Sequence, residues 1–565
     1  MKKLTLFYCL LLISCFTSYA QYNIEWVNSA QAAIGFSHGA ENALDSEGNI
    51  YTVGYFNGIV DFDPSEDGVY GLNANTSYTA EVFIQKLSPN GDFLWVKYIS
   101  GISDETPLDI AIDSNDNVYV GCILNGPIIF NPVSENIVIT EWTYEKHLVK
   151  LNSSGGFVWA KNYPTNFSLN DIVIDSDDNI LLCGSFFGSE YFAPGDDESL
   201  VSSNGSSDIF LLKLDPDSNF LWIKATGSSA PEGAEFITTD SYGNIYIAGR
   251  FKDTVDFDFS DTSENFLVSS GGYDIFLQKL DNDGNFIWVE QFGALSDDFI
   301  NAFTVDNEGE NIFVSASLED VDLSSGEIIS SPSGFGDDYV LQLDDNGDLQ
   351  WSYQISGVNV NPKSMTTDTD SNVYITGEFG ENVILDNESG EQLNSGSNNR
   401  TLFILELNKE GEFTWAKRVL GKNINSTSIT SNSQDSLYVT GSITRSADFD
   451  IDSNPGEFVI HIDEYAGALH AFSLKLSSQE PIDNVSISEN SIDELSVHPI
   501  TGGIYLENVK NPVSVRIYNL QGSIVATKRF SSSQSWDLSH LPGGMYLYQL
   551  SNQSGKRERG KITIL

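Results

Sequence analysis

Cysteine, histidine, methionine and basic residues are all scarce in this 565-residue chain, and each scarcity removes a class of chemistry. Of the 4 Cys, Cys9 and Cys15 fall in the N-terminal segment, which leaves Cys122 and Cys183. Two cysteines are too few for a disulfide framework or a zinc site. They lie in equivalent strands of two repeats, NVYVGCI and NILLCGS, one residue out of step, so two buried free thiols are predicted. The 6 His (38, 147, 461, 470, 498 and 540) occupy unrelated positions, which gives a histidine metal site or triad little support. Lys and Arg number 28 against 80 Asp and Glu, a formal net charge of −52. A surface of that sign repels nucleic acid and anionic lipid, so neither is expected as a partner. Beyond the N-terminus no segment approaches the roughly 20 apolar residues of a membrane helix, and helical periodicity is absent throughout.

Lys2 and Lys3, an apolar run from Leu4 and the small-residue site Ser18-Tyr19-Ala20 before Gln21 read as a signal peptide over residues 1–20. A competing lipobox, Leu12-Ile13-Ser14-Cys15, would instead leave a lipid-anchored Cys15. Either route exports the chain.

What the chain does contain is a repeat of about 64 residues. A turn followed by a strand recurs seven times: DSEGNIYTVG, DSNDNVYVGC, DSDDNILLCG, DSYGNIYIAG, DNEGENIFVSA, DTDSNVYITG and NSQDSLYVTG. An apolar strand also recurs seven times, ending at Leu87, Leu151, Leu214, Leu280, Leu343, Leu407 and Leu476. A turn and tryptophan strand follow only six of these, carrying Trp95, Trp159, Trp222, Trp288, Trp351 and Trp415. Each unit also carries a loop of roughly 20 residues that opens on a motif such as VDFDPS at 60–65. With the strand before each Asp turn, every unit offers four antiparallel strands joined by Gly, Asn and Asp turns. The strands are apolar on both faces, as in IFLLKL, so both faces of each small sheet must be covered. Radial stacking of blades does this, which predicts an all-β, seven-bladed β-propeller over residues 21–476. The missing seventh tryptophan strand is supplied by NIEWVN at 23–28, which places Trp26 in the last blade and closes the ring. The repeats resemble the bacterial β-propeller repeats of many secreted proteins, most clearly in VDFDP, IFLQKLD and GNIYIAG.

After Leu476 the repeat stops, and residues 477–494 form a polar, acidic linker. From Leu495 onward the charge reverses, with 8 Lys or Arg against 3 acidic residues, and short strands alternate with turns. A small β-sandwich over 495–565 fits. VRIYNLQGSIV at 515–525, WDLSHLPGGMYLYQL at 536–550 and the terminal GKITIL are similar to the type A C-terminal sorting domain of the type IX secretion system of Bacteroidetes. Val497-His498-Pro499-Ile500 stands where that family usually opens on a Tyr-Pro-Asn-Pro-like motif. The resemblance implies contact with the secretion machinery through residues 495–565, transit across the outer membrane, and release or attachment at the cell surface.

Candidates for chemistry are few. Gly35-Phe36-Ser37-His38-Gly39 spells a nucleophile elbow, but it falls in an inter-blade loop with no helix after it, so no catalytic residue is assigned. Asp113, Asn115 and Asn117, Asp175, Asp177 and Asn179, and Asp368, Asp370 and Asn372 imitate the first ligands of a calcium loop. They lack its sixth-position Gly and twelfth-position Glu. Asp and Asn also favour plain turns. Asp61 and Asp63, and Asp256 and Asp258, pose the same choice, so the metal assignment stays open, with calcium the one ion in view and no cofactor expected. An enzyme would need non-repeated acids converging on one face, and the repeats display no such concentration. The expectation is a secreted, non-catalytic propeller that binds an extracellular glycan or protein. The alternative is a carbohydrate-active hydrolase or lyase on the same scaffold.

Overall fold

The computed structural model describes residues 21–479 and 496–564 apart from short loop stretches, the longest of them 131–136, 194–198, 323–327, 330–336, 450–458, 461–468, 508–512 and 519–523. The N-terminal segment 1–20, with Cys15 and both export alternatives, lies outside the described residues, as does most of the 477–494 linker. Asn23–Ser477 form one compact unit, and Ser478–Leu565 belong to a second.

The first unit is a seven-bladed propeller with no helix among the described residues. In blade 1 the strands run Gln31–Leu44, Ile50–Asp61, Glu81–Leu87 and Phe93–Ser100, from the ring axis outward. The inner strands of the next blades are Thr106–Ile112, Phe167–Ile174, Gly233–Thr239, Phe299–Val305, Asn361–Thr367 and Ile424–Ser431. Each lies against the inner strands of both neighbours, and that of blade 7 lies against that of blade 1. The third strands show why the sheets stack: all seven residues of Asp208–Leu214, Asp274–Leu280 and Thr401–Leu407 are buried, so no face is left for water. The long loops between second and third strands form short hairpins. Three of them pair with the outer strand of the preceding blade, through Ile99 and Phe130, Ser356 and Ile384, and Leu420 and Asp448. Part of each of those sheet edges is thereby covered.

The ring closes with the first strand of the chain. Gln21–Ser29 pairs with His470–Gln479 as the outer strand of blade 7. Lys475 Nζ meets Glu25 at 2.9 Å, and the Ala30 N–H donates to the Ala471 carbonyl at 2.9 Å. Trp26 does at this seam what other tryptophans do inside the ring. Trp288 Nε1 donates to the Asp345 carbonyl at 2.9 Å and Trp351 Nε1 to the Lys409 carbonyl at 3.0 Å, each in the last turn of the next blade. Trp26 Nε1 donates to the Pro89 carbonyl of blade 1 at 3.1 Å, and Asn28 Nδ2 to the Gly91 carbonyl at 2.7 Å. Gly91 has φ 84°, and a Cβ there would sit 2.8 Å from the Trp26 ring, so both the turn and the packing require glycine.

In the second unit, Ser496–Ile500, Gly503–Glu507 and Gln534–Asp537 make one antiparallel sheet. Val513–Tyr518, Ile524–Phe530, Gly544–Asn552 and Arg557–Ile564 make another. Leu506 of the first and Val513, Val515, Ile517 and Phe530 of the second meet in one apolar cluster. The Val497-His498-Pro499-Ile500 segment lies within a paired strand.

Deleting residues 21–29 should lower the melting temperature of the whole propeller in one cooperative transition, and Trp26→Ala should cost about 2–3 kcal/mol in denaturant unfolding. Unchanged melting in either variant would argue for an open array.

Candidate functional site

The Asp turns are locked by their own backbone. Asp113 Oδ1 accepts the N–H of Asn115 at 3.0 Å and of Asn117 at 2.8 Å, while Oδ2 accepts Asn117 Nδ2 at 2.8 Å and the Tyr119 hydroxyl at 3.1 Å. Asp175 holds the N–H groups of Asp177 and Asn179 in the same way, and Asp368 those of Asp370 and Asn372. In each turn the terminal Asn points its NH2 at the carboxylate, so a cation would first have to displace these donors. Lysines from the third strands complete the nodes, with Lys86 Nζ 2.8 Å from Asp45 and Lys213 Nζ 2.8 Å from Asp175. The loop acids are used likewise: Asp61 Oδ1 accepts the N–H groups of Asp63 and Tyr70, and Asp256 Oδ1 those of Asp258 and Asn265. The phenylalanines between them, Phe62 and Phe257, are fully buried anchors of the blade cores. No group of three or more His, Cys, Asp or Glu is arranged to hold a metal among the described residues.

Ser37 lies within the strand Gln31–Leu44 rather than in an inter-blade loop. Its hydroxyl donates to the Ala30 carbonyl at 2.9 Å and accepts the Ala471 N–H at 2.9 Å, so it clasps the ring seam. The long first hairpin of blade 1, which continues the strand to Gln31, is what draws this segment out of the loop. Cys122 and Cys183 are free and buried. His38 stacks on Tyr55, whereas His147 and His470 are buried in the third strands of blades 2 and 7. His461 and His540 lie outside the described residues.

A convergence of acids does exist, contrary to the sequence expectation. Every inner strand carries a β-bulge at the same place. The residue after it, four before the Asp turn, is Glu41, Asp109 and Asp171 in blades 1–3, then Phe236, Ala302, Ser364 and Ser428. Several of these tie one blade to the next. Asp109 Oδ2 accepts the Ile172 N–H and Asp171 Oδ2 the Ile237 N–H, both at 2.7 Å. Ser364 Oγ accepts the Ile429 N–H at 3.1 Å. Burial raises all three carboxyls, Glu41 up to about 8, and the neighbouring Asp171 charge and hydrogen bond push Asp109 further. The signal was present in the sequence, as an acid at a fixed offset in three of the seven copies; the bulge that turns it toward the next blade was not.

A second cluster lies where the loops after second strands and before inner strands meet, at blades 4 and 5. Arg250, near the end of Ile245–Phe251, donates from Nε to Glu235 Oε1 at 2.5 Å. Its Cζ lies 5.5 Å from the Tyr273 ring centroid and 5.0 Å from that of Phe299, and Lys252 Nζ is 5.4 Å from Tyr273. Phe299 is 43% exposed, and the Arg250 Nη groups have no acceptor among the described residues. The site therefore presents a guanidinium fork, a carboxylate and an open ring to solvent.

Known proteins divide along the same line as the two units. Residues 498–564 match the secretion system C-terminal sorting domain, and residues 350–378 match the β-propeller repeat. Together with the fold, these matches define a secreted β-propeller protein bearing a type IX sorting tail, of the kind found in Bacteroidetes, released from or attached to the outer cell surface. An uncharacterized WD repeat-containing protein of Acanthamoeba polyphaga mimivirus is 26% identical over 253 residues, 39% of this chain and 18% of that protein. The chain thus spans under a fifth of that relative's length. A Dyadobacter fermentans protein of unknown function shares 10% identity and a TM-score of 0.35, over 81% of this chain and 99% of that one. Virginiamycin B lyase from Staphylococcus aureus shares 9% identity and a TM-score of 0.37, over 81% of this chain and all 100% of that one. At these scores neither structure carries an argument about ligand or reaction.

Two outcomes test the electrostatics. The channel carboxyls titrate above their unfolded values of about 4, so the stability they contribute is full below that pH and drains as pH rises toward 8. Denaturant unfolding should show falling stability between pH 5 and 8.5, with Glu41→Gln flattening the slope; a flat wild-type profile would contradict it. Asp175→Ala, which strands Lys213 in the interior, should cost about 3–5 kcal/mol, with or without a calcium chelator. A loss seen only without the chelator would restore the calcium reading.

Proposed function

We propose that the exported propeller is a non-catalytic binding module, taking an extracellular glycan or protein at the loop face of blades 4 and 5. The observation that carries this is the Arg250 cluster. An arginine held between two rings by a single carboxylate, its fork open, is the residue set that anchors binding surfaces. The same set suits a sugar, since Phe299 offers a flat apolar face while Glu235 and Arg250 offer an acceptor and donors to hydroxyls. Its setting in a chain of net charge −52 makes a half-buried guanidinium that reaches solvent a selective feature rather than a background one.

The second reading, a carbohydrate-active hydrolase or lyase, draws on Glu41, Asp109 and Asp171. Their geometry favours a structural role. Glycosidase carboxyls stand about 5–9.5 Å apart and keep their oxygens for substrate or water, whereas Asp109 and Asp171 each commit an oxygen to the next blade's backbone N–H at 2.7 Å.

Glycan and peptide arrays probed with the mature chain, beside a hydrolysis assay on each ligand found, test both readings. Arg250→Ala should weaken binding at least about tenfold, some 1.4 kcal/mol, without lowering the melting temperature. Binding that survives Arg250→Ala would move the site elsewhere, and turnover abolished by Asp109→Asn would establish the enzyme instead.

A further inference from the structure

The inner-strand bulges also set what the ring shows at the mouth of its axis, on the face where the Arg250 cluster lies. In blades 3–6 the residue before the bulge is buried, while the unpaired residue of the bulge reaches solvent. Those unpaired residues are Asn170, Glu235, Asn301 and Lys363. In blades 1 and 2 the same place holds Ala40 and Leu108. In blade 7 it holds Thr427, whose hydroxyl lies 3.1 Å from both the Gly39 and Thr440 carbonyls. The mouth therefore has one polar arc, over blades 3–6, and the other blades are apolar or spent on backbone there.

The cations of that arc keep N–H groups in reserve. Residues 21–476 hold four arginines, Arg250, Arg400, Arg418 and Arg445, and two of them stand here. Opposite the first residue of the inner strand is Arg250 in blade 4 and Glu378 in blade 6. Arg250 meets Glu235 through Nε, and its side chain is 32% exposed. Glu378 is buried, and Arg400, just before the third strand, reaches it with Nη1 at 3.2 Å while 64% of the Arg400 side chain stays exposed. Burial raises the Glu378 carboxyl, and the Lys363 and Arg400 charges oppose the rise, which places Lys363 in the same group. Asn301, in the blade between the two pairs, donates its NH2 to Ser317 and Asp338 and leaves Oδ1 as an acceptor. The arrangement is the reverse of the Asp turns, where Lys86 and Lys213 are buried against their carboxylates.

We propose that the ligand of this face is a glycan carrying carboxylates, a uronate-containing chain laid along the arc from blade 4 to blade 6. Arg250 takes one carboxylate with its two Nη groups, and Arg400 with Lys363 takes another. A carboxylate matches both N–H groups at the end of a guanidinium, whereas a hydroxyl meets one and leaves the other unmatched. Phe299 supplies apolar ring surface beside the Arg250 fork for the C–H face of a sugar, and Asn301 Oδ1 an acceptor for a hydroxyl. The net charge of −52 opposes such a ligand at long range. That repulsion is screened over about 8 Å at physiological salt, so the groups in contact decide. The inference rests on the binding reading of the Arg250 cluster, and the two can fail separately.

Calorimetry with the mature chain would use oligosaccharides of polygalacturonate, alginate and hyaluronan, each beside its carboxyl-reduced form, which keeps the sugar backbone and loses the charge. At least one acidic chain should bind about tenfold or more tighter than its reduced form. Arg250→Lys, which keeps the charge and loses the fork, should remove most of that preference, and Lys363→Ala should narrow it; thermal melting checks that both variants fold. Equal affinity for acidic and reduced forms, no binding of any acidic chain, or a preference that both variants leave intact would overturn the uronate inference. In that event, a neutral glycan or a peptide that binds on the arrays and is lost in Arg250→Ala would still uphold the binding reading. Ligands of every kind held equally by the wild type and Arg250→Ala would remove that reading, and this inference with it.

Discussion

Closure between the two ends of the propeller chain is the constraint on which the rest depends. A blade is a four-stranded sheet that buries both faces only because a neighbour covers each, so a gap anywhere would expose two sheets at once. The chain meets this by splitting blade 7: three strands come from its end and the fourth from its beginning. The contacts across the seam span 386 to 452 residues of sequence. The entropic cost of closing so long a loop grows only with the logarithm of its length, and it is met once for the whole ring.

The other inter-blade ties repeat around the circle and share one logic, that of a polar group on one blade satisfying backbone on the next. Trp26, Trp288 and Trp351 do so at the outer strands, the lysines at the third strands, and Asp109, Asp171 and Ser364 at the inner strands. Such ties suit an acidic protein. They use many carboxylates as acceptors for N–H groups in the interior, where an unpaired charge would be costly, and leave the remaining acids to solvent. The acidity is thus partly consumed in holding the ring together.

Most of the architecture was legible because each landmark has a local physical cause. Asp113, Asp175 and Asp368 announce turns through side chains that bond their own backbone, and the apolar third strands announce burial on both faces. Ser37 was misplaced because the first hairpin of blade 1 is longer than its repeats, which no other copy foreshadows. The channel acids were overlooked for a different reason: Glu41, Asp109 and Asp171 look like ordinary strand residues until the shared bulge turns them toward the next blade. The Arg250 cluster draws on four segments of blades 4 and 5, and nothing in any one of them marks it.

By itself the sequence determined the number of blades, the order of strands within each, the role of the first strand, and the export route written in the tail. These follow from period, alternation and turn chemistry, all of which are properties of neighbouring residues. Only the tertiary structure decided which carboxylates are spent on backbone, which serine is a clasp, and where an arginine fork meets two rings. Those outcomes depend on pairs of residues from different blades, brought within a few ångströms by the closing of the ring.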